Sequence, residues 1–276
     1  MEMIKKGLVR GLLYFSAAIF LLIFGYPFIF VLFTSFKDQS AYISSFWGPP
    51  QQLFFGNFQA VFKMDFLIYF ANSLFVATVS VVMSIFIGSL ASYAIATMKF
   101  KLSGAVFLLF LLGMMIPVHT TLIPIYTLTR QIHMLDSIFG LIGPYISFSI
   151  PISVYIMTSF FKEVPKSILE SAEIDGASPF RSFISIMMPL SKSAISTIGI
   201  FNFLYCWNEF IFSLTLINST SQKTLPLGIR EFYGMETVNI PGVITAILIG
   251  SLPVIIFYFF AQEQVIRGLS SGAVKE

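Results

Sequence analysis

Glu209 stands inside a long apolar stretch, with Trp207 and Asn208 before it, Phe210 after it and Asn202 seven residues upstream. Seven residues are about two helical turns, so Asn202 and Glu209 share a helical face, with Asn208 beside them. A carboxylate and two amides there can hydrogen-bond the hydroxyl groups of a polar solute, while Trp and Phe offer flat apolar surfaces. The same side chains can equally bond to neighbouring helices and hold a bundle together. Ionisable groups in such stretches are costly, and they face a bundle interior or a water-filled cavity.

A second concentration of polar chemistry spans residues 162–192. In a chain that is 57% hydrophobic and 11% charged, it gathers Lys162, Glu163, Lys166, Glu170, Glu173, Asp175, Arg181 and Lys192. Its local signals predict two short helices. Pro165 suits the first turn of one, where its missing N–H costs nothing. Ile168, Leu169 and Ala172 share a face of that helix, which ends at Asp175-Gly176 because Gly accepts the left-handed backbone just past a C-cap. Ser178 is a good N-cap and Pro179 a good first residue for the second helix. Phe180, Phe183, Ile184 and Met187 form the second helix's apolar stripe, and Pro189 disrupts it. The elbow is expected at Gly176-Ala177-Ser178.

Other chemistry has no residues to carry it. There is no Gly-x-x-x-x-Gly-Lys-Ser/Thr phosphate loop, no Gly-x-Ser-x-Gly and no His-Glu-x-x-His. The expectation is no catalytic site and no metal site: His119 and His133 have no further ligand at suitable spacing. Cys206, the single cysteine, can make no intrachain disulfide and reads as a packed small residue.

These groups must be held by membrane-spanning helices. The chain has a mean hydropathy of +0.88 and 33 Phe in 276 residues, which excludes a soluble domain. About 18 or more apolar residues cross the hydrocarbon core as a helix. Six such stretches are expected, at about 11–36, 66–97, 102–128, 137–161, 193–217 and 240–261. Prolines at 117, 124, 144, 151 and 253 predict kinks. The first stretch is too long for a secretory signal core. The loop with Trp47-Gly48-Pro49-Pro50 is expected to pack along the membrane interface.

With the N-terminus inside, eleven of the sixteen Lys and Arg residues fall on the inner side, among them Lys5, Lys6, Arg10, Lys162, Lys166 and Arg181. That bias places both termini and the 162–192 loop in the cytoplasm. It also accounts for the net charge of +3 without a nucleic-acid partner. The expected architecture is an all-α, multi-pass integral protein of the cell membrane, one transmembrane domain over 1–276 surrounded by lipid.

Glu170-Ser171-Ala172, three residues, Gly176, nine residues, then Ile186-Met187-Met188-Pro189 resembles the Glu-Ala-Ala loop of ABC importer permeases, with Ser171 and Met188 as the departures. Trp207-Asn208-Glu209-Phe210, Lys223-Thr224-Leu225-Pro226-Leu227-Gly228-Ile229 and the closing Gly268–Lys275 segment resemble the carbohydrate branch, specifically the second, six-helix permease of maltose-type systems. Glu276 replaces that branch's final Gly.

The resemblance implies the type I importer permease fold and import of sugars or oligosaccharides. The partners it implies are a homologous permease, two cytoplasmic ATPase subunits and an extracytoplasmic sugar-binding protein. ATP and Mg would be bound by the ATPase, leaving this chain without a cofactor. Glu170, Ser171, Ala172, Asp175, Gly176 and Ala177 would form the coupling helix that docks on the ATPase. Asn202, Asn208 and Glu209 would line the translocation path, and Gly268, Gly272 and Lys275 would offer a second ATPase contact. An amino-acid or other small-solute importer sharing only the coupling loop is the alternative within transporters. A stand-alone channel or a membrane-embedded enzyme is the alternative outside them.

Overall fold

The computed structural model describes residues 2–63, 65–98, 100–231 and 239–273, with backbone alone for 2–9, 231 and 260–273. The described residues hold helices and no strand. The chain divides into two compact units, Met1–Phe66 with Ile229–Leu252, and Leu67–Gly228 with Pro253–Glu276.

The first unit contains α1 (Glu2–Ser35), α2 (Gln39–Ser44), α3 (Gly56–Lys63) and the start of a long last helix. The C-terminal carbonyls of α1 lack intrahelical partners, and side chains supply them. Asn57 Nδ2 donates to the carbonyls of Ser35 (3.0 Å) and Lys37 (2.7 Å), and Thr245 Oγ1 also donates to Ser35 (3.3 Å). Asp38 caps α2 by accepting the Ala41 N–H at 2.6 Å. That bond, with the Ser40 hydroxyl, holds the Asp38 carboxyl below its ordinary range.

The second unit is built on α4 (Phe66–Thr97), α5 (Ser103–Gly113), α6 (Leu122–Gln131) and α7 (Phe139–Glu163). The 162–192 region comes next as α8 (Lys166–Ile174), α9 (Pro179–Ser182), a π turn (Phe183–Met187) and α10 (Met188–Leu190). Then come α11 (Lys192–Asn208), α12 (Ile211–Leu216), α13 (Leu225–Glu231) and α14 (Ile240–Ala273). Tyr93, Met157, Phe161, Phe183, Met187, Ala194 and Ile198 form a buried apolar cluster where α4, α7, the π turn and α11 meet. Small residues bring α4 and α7 close: a Cβ on Gly88 would stand 2.7 Å from Ser153 Cβ.

Four helical segments are long and apolar enough to cross a membrane: Arg10–Ser35, Phe66–Thr97, Phe139–Glu163 and Ile240–Phe259. Two bent helix pairs pass the same test of length and composition, and counting each pair as one span gives six. The stretch expected over 102–128, with kinks at its prolines, is Ser103–Gly113 followed by Val118–Gln131, turned by 93°. Pro117 sits at the break in extended backbone, where its ring favours neither a continuing hydrogen-bond ladder nor a helical residue before it. The stretch expected over 193–217 also differs. Pro179–Leu190 meets Lys192–Asn208 at 79°, and the helix breaks again at Glu209 and Phe210 before α12. By contrast, α7 carries Pro144 and Pro151 without interruption.

Candidate functional site

At one end of the second unit, α8 closes in a Schellman cap. The Gly176 N–H donates to Glu173 O at 3.0 Å and the Ala177 N–H to Ala172 O at 2.9 Å, with Gly176 at φ +77°. Only glycine takes that backbone freely. Ser178 then caps α9, its Oγ accepting the Arg181 N–H at 3.3 Å, with Pro179 next. The expected elbow is present. Pro165, however, occupies the cap of α8 in extended backbone rather than a place in its first turn.

The expected second stripe is divided. Phe183 and Met187 are fully buried, whereas Phe180 and Ile184 are exposed. The stripe passes from α9 into a π turn (Phe183–Met187), whose wider turn departs from the α-helical spacing on which the stripe was read. The turn ends one residue short of Pro189, whose ring lacks an N–H and crowds the carbonyl four residues back.

The elbow is anchored on one side and bare on the other. Ala172 is buried and Leu169 packs on the Tyr93–Phe161–Phe183 cluster. Ile174 is 86% exposed and Phe180 60% exposed. Glu170, Ser171, Glu173, Asp175 and Arg181 surround them, all exposed, with Ala177 half-buried. This arrangement is a rigid polar cap carrying two apolar studs.

The second group is a seam between antiparallel α7 and α11. Tyr145 Oη donates to Glu209 Oε2 at 2.7 Å, Ser149 Oγ lies 3.9 Å from Cys206 Sγ, and Asn202 Nδ2 donates to Ser153 Oγ at 2.9 Å. Asn202 Nδ2 also donates to Ser84 Oγ of α4 at 3.0 Å. Glu209 serves the chain as well: its Oε1 accepts the Phe212 N–H at 2.8 Å, capping α12 where the span breaks. Asn202 and Glu209 are therefore buried and engaged within the fold. Asn208 does not join them; it is exposed, and its amide donates to Leu204 O at 2.8 Å. Trp207 is buried against Phe70 and Phe203.

Tyr145, Ser149, Ser153 and Ser84 are seam residues that the sequence pattern did not single out. The spacing of Tyr145, Ser149 and Ser153, four residues each, is a polar stripe at helical period within an apolar span and was the available signal.

The opposite end of the second unit is a polar clasp. Asp136, at φ +58°, accepts the N–H groups of Asn218 (2.8 Å) and Ser219 (2.7 Å) and the Ser219 hydroxyl. Those bonds, the hydroxyl foremost, hold its carboxyl below the ordinary range. Gly268 and Gly272 lie within α14, which runs to Ala273; Lys275 lies outside the described residues.

A helical chain with four continuous apolar spans and two bent apolar helix pairs, capped by an exposed elbow, is a multi-pass membrane protein. Residues 84–271, which include the elbow and the seam, match the binding-protein-dependent transport system inner membrane components. The chain belongs to this family: it is a transport component of the inner membrane rather than an enzyme. It is 44% identical to a putative ABC transporter permease from Caldicellulosiruptor sp. (strain Rt8B.4), over 94% of each chain. It is 32% identical to the melibiose/raffinose/stachyose import permease of Bacillus subtilis (strain 168), over 90% of this chain and 91% of that one. The fold is similar to a chain of a bacterial ABC transporter that imports the acidic polysaccharide alginate, with a TM-score of 0.79, 22% identity and coverage of 93% and 95%.

Proposed function

We propose that this chain is the permease subunit of an ATP-driven importer of sugars or oligosaccharides. It pairs with a homologous permease, receives its cargo from an extracytoplasmic sugar-binding protein, and takes its driving motion from two cytoplasmic ATPase subunits that bind ATP and Mg. Both termini and the elbow lie on the ATPase side.

One observation carries this reading: the elbow is stiff, anchored and uncovered at once. Its Schellman cap and Ser178 cap fix the angle, and Leu169, Phe183 and Met187 tie it to the cluster that joins α4, α7 and α11. A push on Ile174, Phe180 and the residues Glu170, Ser171, Asp175 and Gly176 is thereby delivered to three helices together, where a slack loop would absorb it. Exposed apolar side chains rimmed by charge are the surface that a soluble partner covers. The sugar class is supported by the B. subtilis relative and by the Trp207–Phe210 sequence. Asn208, the one exposed amide of that sequence, is the residue assigned to the path.

Co-expression with the neighbouring permease and ATPase tests the assembly. The expected result is a complex that survives purification and imports labelled oligosaccharide into proteoliposomes only with ATP inside the ATPase compartment. A chain that never retains the ATPase overturns the reading.

A further inference from the structure

The chain has two tryptophans, and their surroundings are opposite. Trp207 is buried in the second unit, whereas Trp47, in the first, is 66% exposed. Trp47 is nevertheless tightly placed. After Ser35 the chain turns, forms α2 and returns along α1. The Trp47 ring lies 5.9 Å from Tyr26 and 5.5 Å from Phe30, and the Phe46 ring lies 5.2 Å from Phe30. Tyr42 packs on Phe46 at 5.0 Å, and the Tyr26 hydroxyl donates to the Trp47 carbonyl at 3.2 Å.

Tyr26 and Phe30 precede the end of α1 by nine and five residues. At 1.5 Å per residue the returning segment has therefore come back by about 8–14 Å. It lies against a membrane-spanning helix whose side chains along that same face, Ile19 and Ile23, are exposed.

Irregular backbone at such depth persists only where protein satisfies its polar groups. Lys37 does this. It is 1% exposed, and its Nζ donates to the carbonyls of Ser45 (2.6 Å) and Phe46 (3.2 Å). Burial draws its ammonium below the ordinary lysine range. An outer-loop lysine is ordinarily solvated; this one is folded inward to serve the two residues just before Trp47.

We propose that residues 36–47 form an interfacial anchor, returning into the bilayer surface beside α1. Trp47, Phe46 and Ile43 would seat among the lipid headgroups and upper acyl chains, and Lys37 would take the place of water for the carbonyls behind them. Lipid is the occupant because the aromatic face continues the lipid-facing side of α1 and lies back from that helix's end. Tryptophan and tyrosine also favour that depth. The proposal needs only that the chain lie in a bilayer, so its failure leaves the transport reading standing.

Fluorescence measures this directly. In the full-length chain reconstituted in lipid bilayers, Trp207→Phe leaves Trp47 as the sole emitter. Lipids brominated near the top of the acyl chain should quench it about twofold or more, lipids brominated near the chain end less, and aqueous iodide little. If Trp207→Phe does not fold, the same signal is the difference between the unaltered chain and Trp47→Phe. Adding Lys37→Met should release the segment and raise iodide quenching. Quenching by iodide without bromolipid quenching overturns the anchor in favour of a solvated loop. Protection from both quenchers overturns it in favour of a protein-covered surface.

Discussion

The elbow and the α7/α11 seam invert the usual distribution of polarity in opposite senses. At the seam, polar side chains are buried among apolar helices, and Glu209, Asn202 and Tyr145 all have partners within the fold. At the elbow, Ile174 and Phe180 stand exposed among charges. Burying a polar group is tolerated when its hydrogen bonds are met, so the seam is explained by the chain itself. The elbow's exposed apolar pair is explained only by something outside the chain. Residue type alone would have ranked the two the other way, since a membrane-embedded Glu attracts more attention than an exposed Ile. The physical test is whether the chain completes the residue's interactions.

The comparison is tested most severely at Gly176. Gly176→Asp should abolish proteoliposome uptake while the protein stays folded in the membrane. No atom crowds a Cβ there, so the damage comes from a non-glycine residue at φ +77°, about 1–2 kcal/mol, and from the added charge at the docking surface. Gly176→Asn should be milder, because Asn visits that backbone more readily. Normal uptake by the Asp variant, with normal ATPase retention, would end the elbow's special status.

A smaller effect is expected at the seam, and on a different observable. Glu209→Leu leaves the Tyr145 hydroxyl and the Phe212 N–H without their acceptor, at about 1–3 kcal/mol for each buried group. The melting temperature in detergent should fall, while uptake per folded transporter holds near the unaltered level. Collapse of uptake at an unchanged melting temperature would make the seam a path rather than a strut.

Within the seam, a double-mutant cycle of Asn202→Ala and Ser153→Ala should give a coupling of about 0.6 kcal/mol, the average for interhelical bonds in membranes. A coupling indistinguishable from zero would remove Asn202 from the set of struts.

The slightest effect belongs to the clasp. The Asp136 carboxyl is held below its ordinary range, so it stabilises the fold above its unfolded value near about pH 4. That contribution is lost as pH falls through the folded value. Thermal melting between neutral and acid pH should show an extra acid slope in the unaltered chain that Asp136→Asn lacks. Parallel slopes would mean the clasp is too solvated to matter.

The elbow was legible because its signals are local. Gly176, Ser178 and Pro179 each act on backbone within a few residues, and the spacing to Ile186–Pro189 carries the family resemblance. The apolar stretches were legible for the same reason, as were the boundaries of α4 at Phe66 and Thr97. Long-range pairing was not. Asn202 finds its acceptors 49 and 118 residues away, and nothing near Asn202 names Ser153 or Ser84. The break at Glu209 was hidden too, since neither Pro nor Gly marks it.

By itself, then, the sequence determined that the chain is helical, lies in a membrane and carries a capped elbow between two spans. Hydropathy and backbone preferences act over one to several turns and need no tertiary partner to be read. Only the tertiary structure decided which polar residues hold the bundle and which face outward. A side chain's role depends on what stands across from it, and in this chain those neighbours come from distant helices. Glu209, the first residue to draw attention, was assigned to the interior by Tyr145 and the N–H groups that open α12; Lys37, unremarkable in sequence, was drawn inward by two carbonyls.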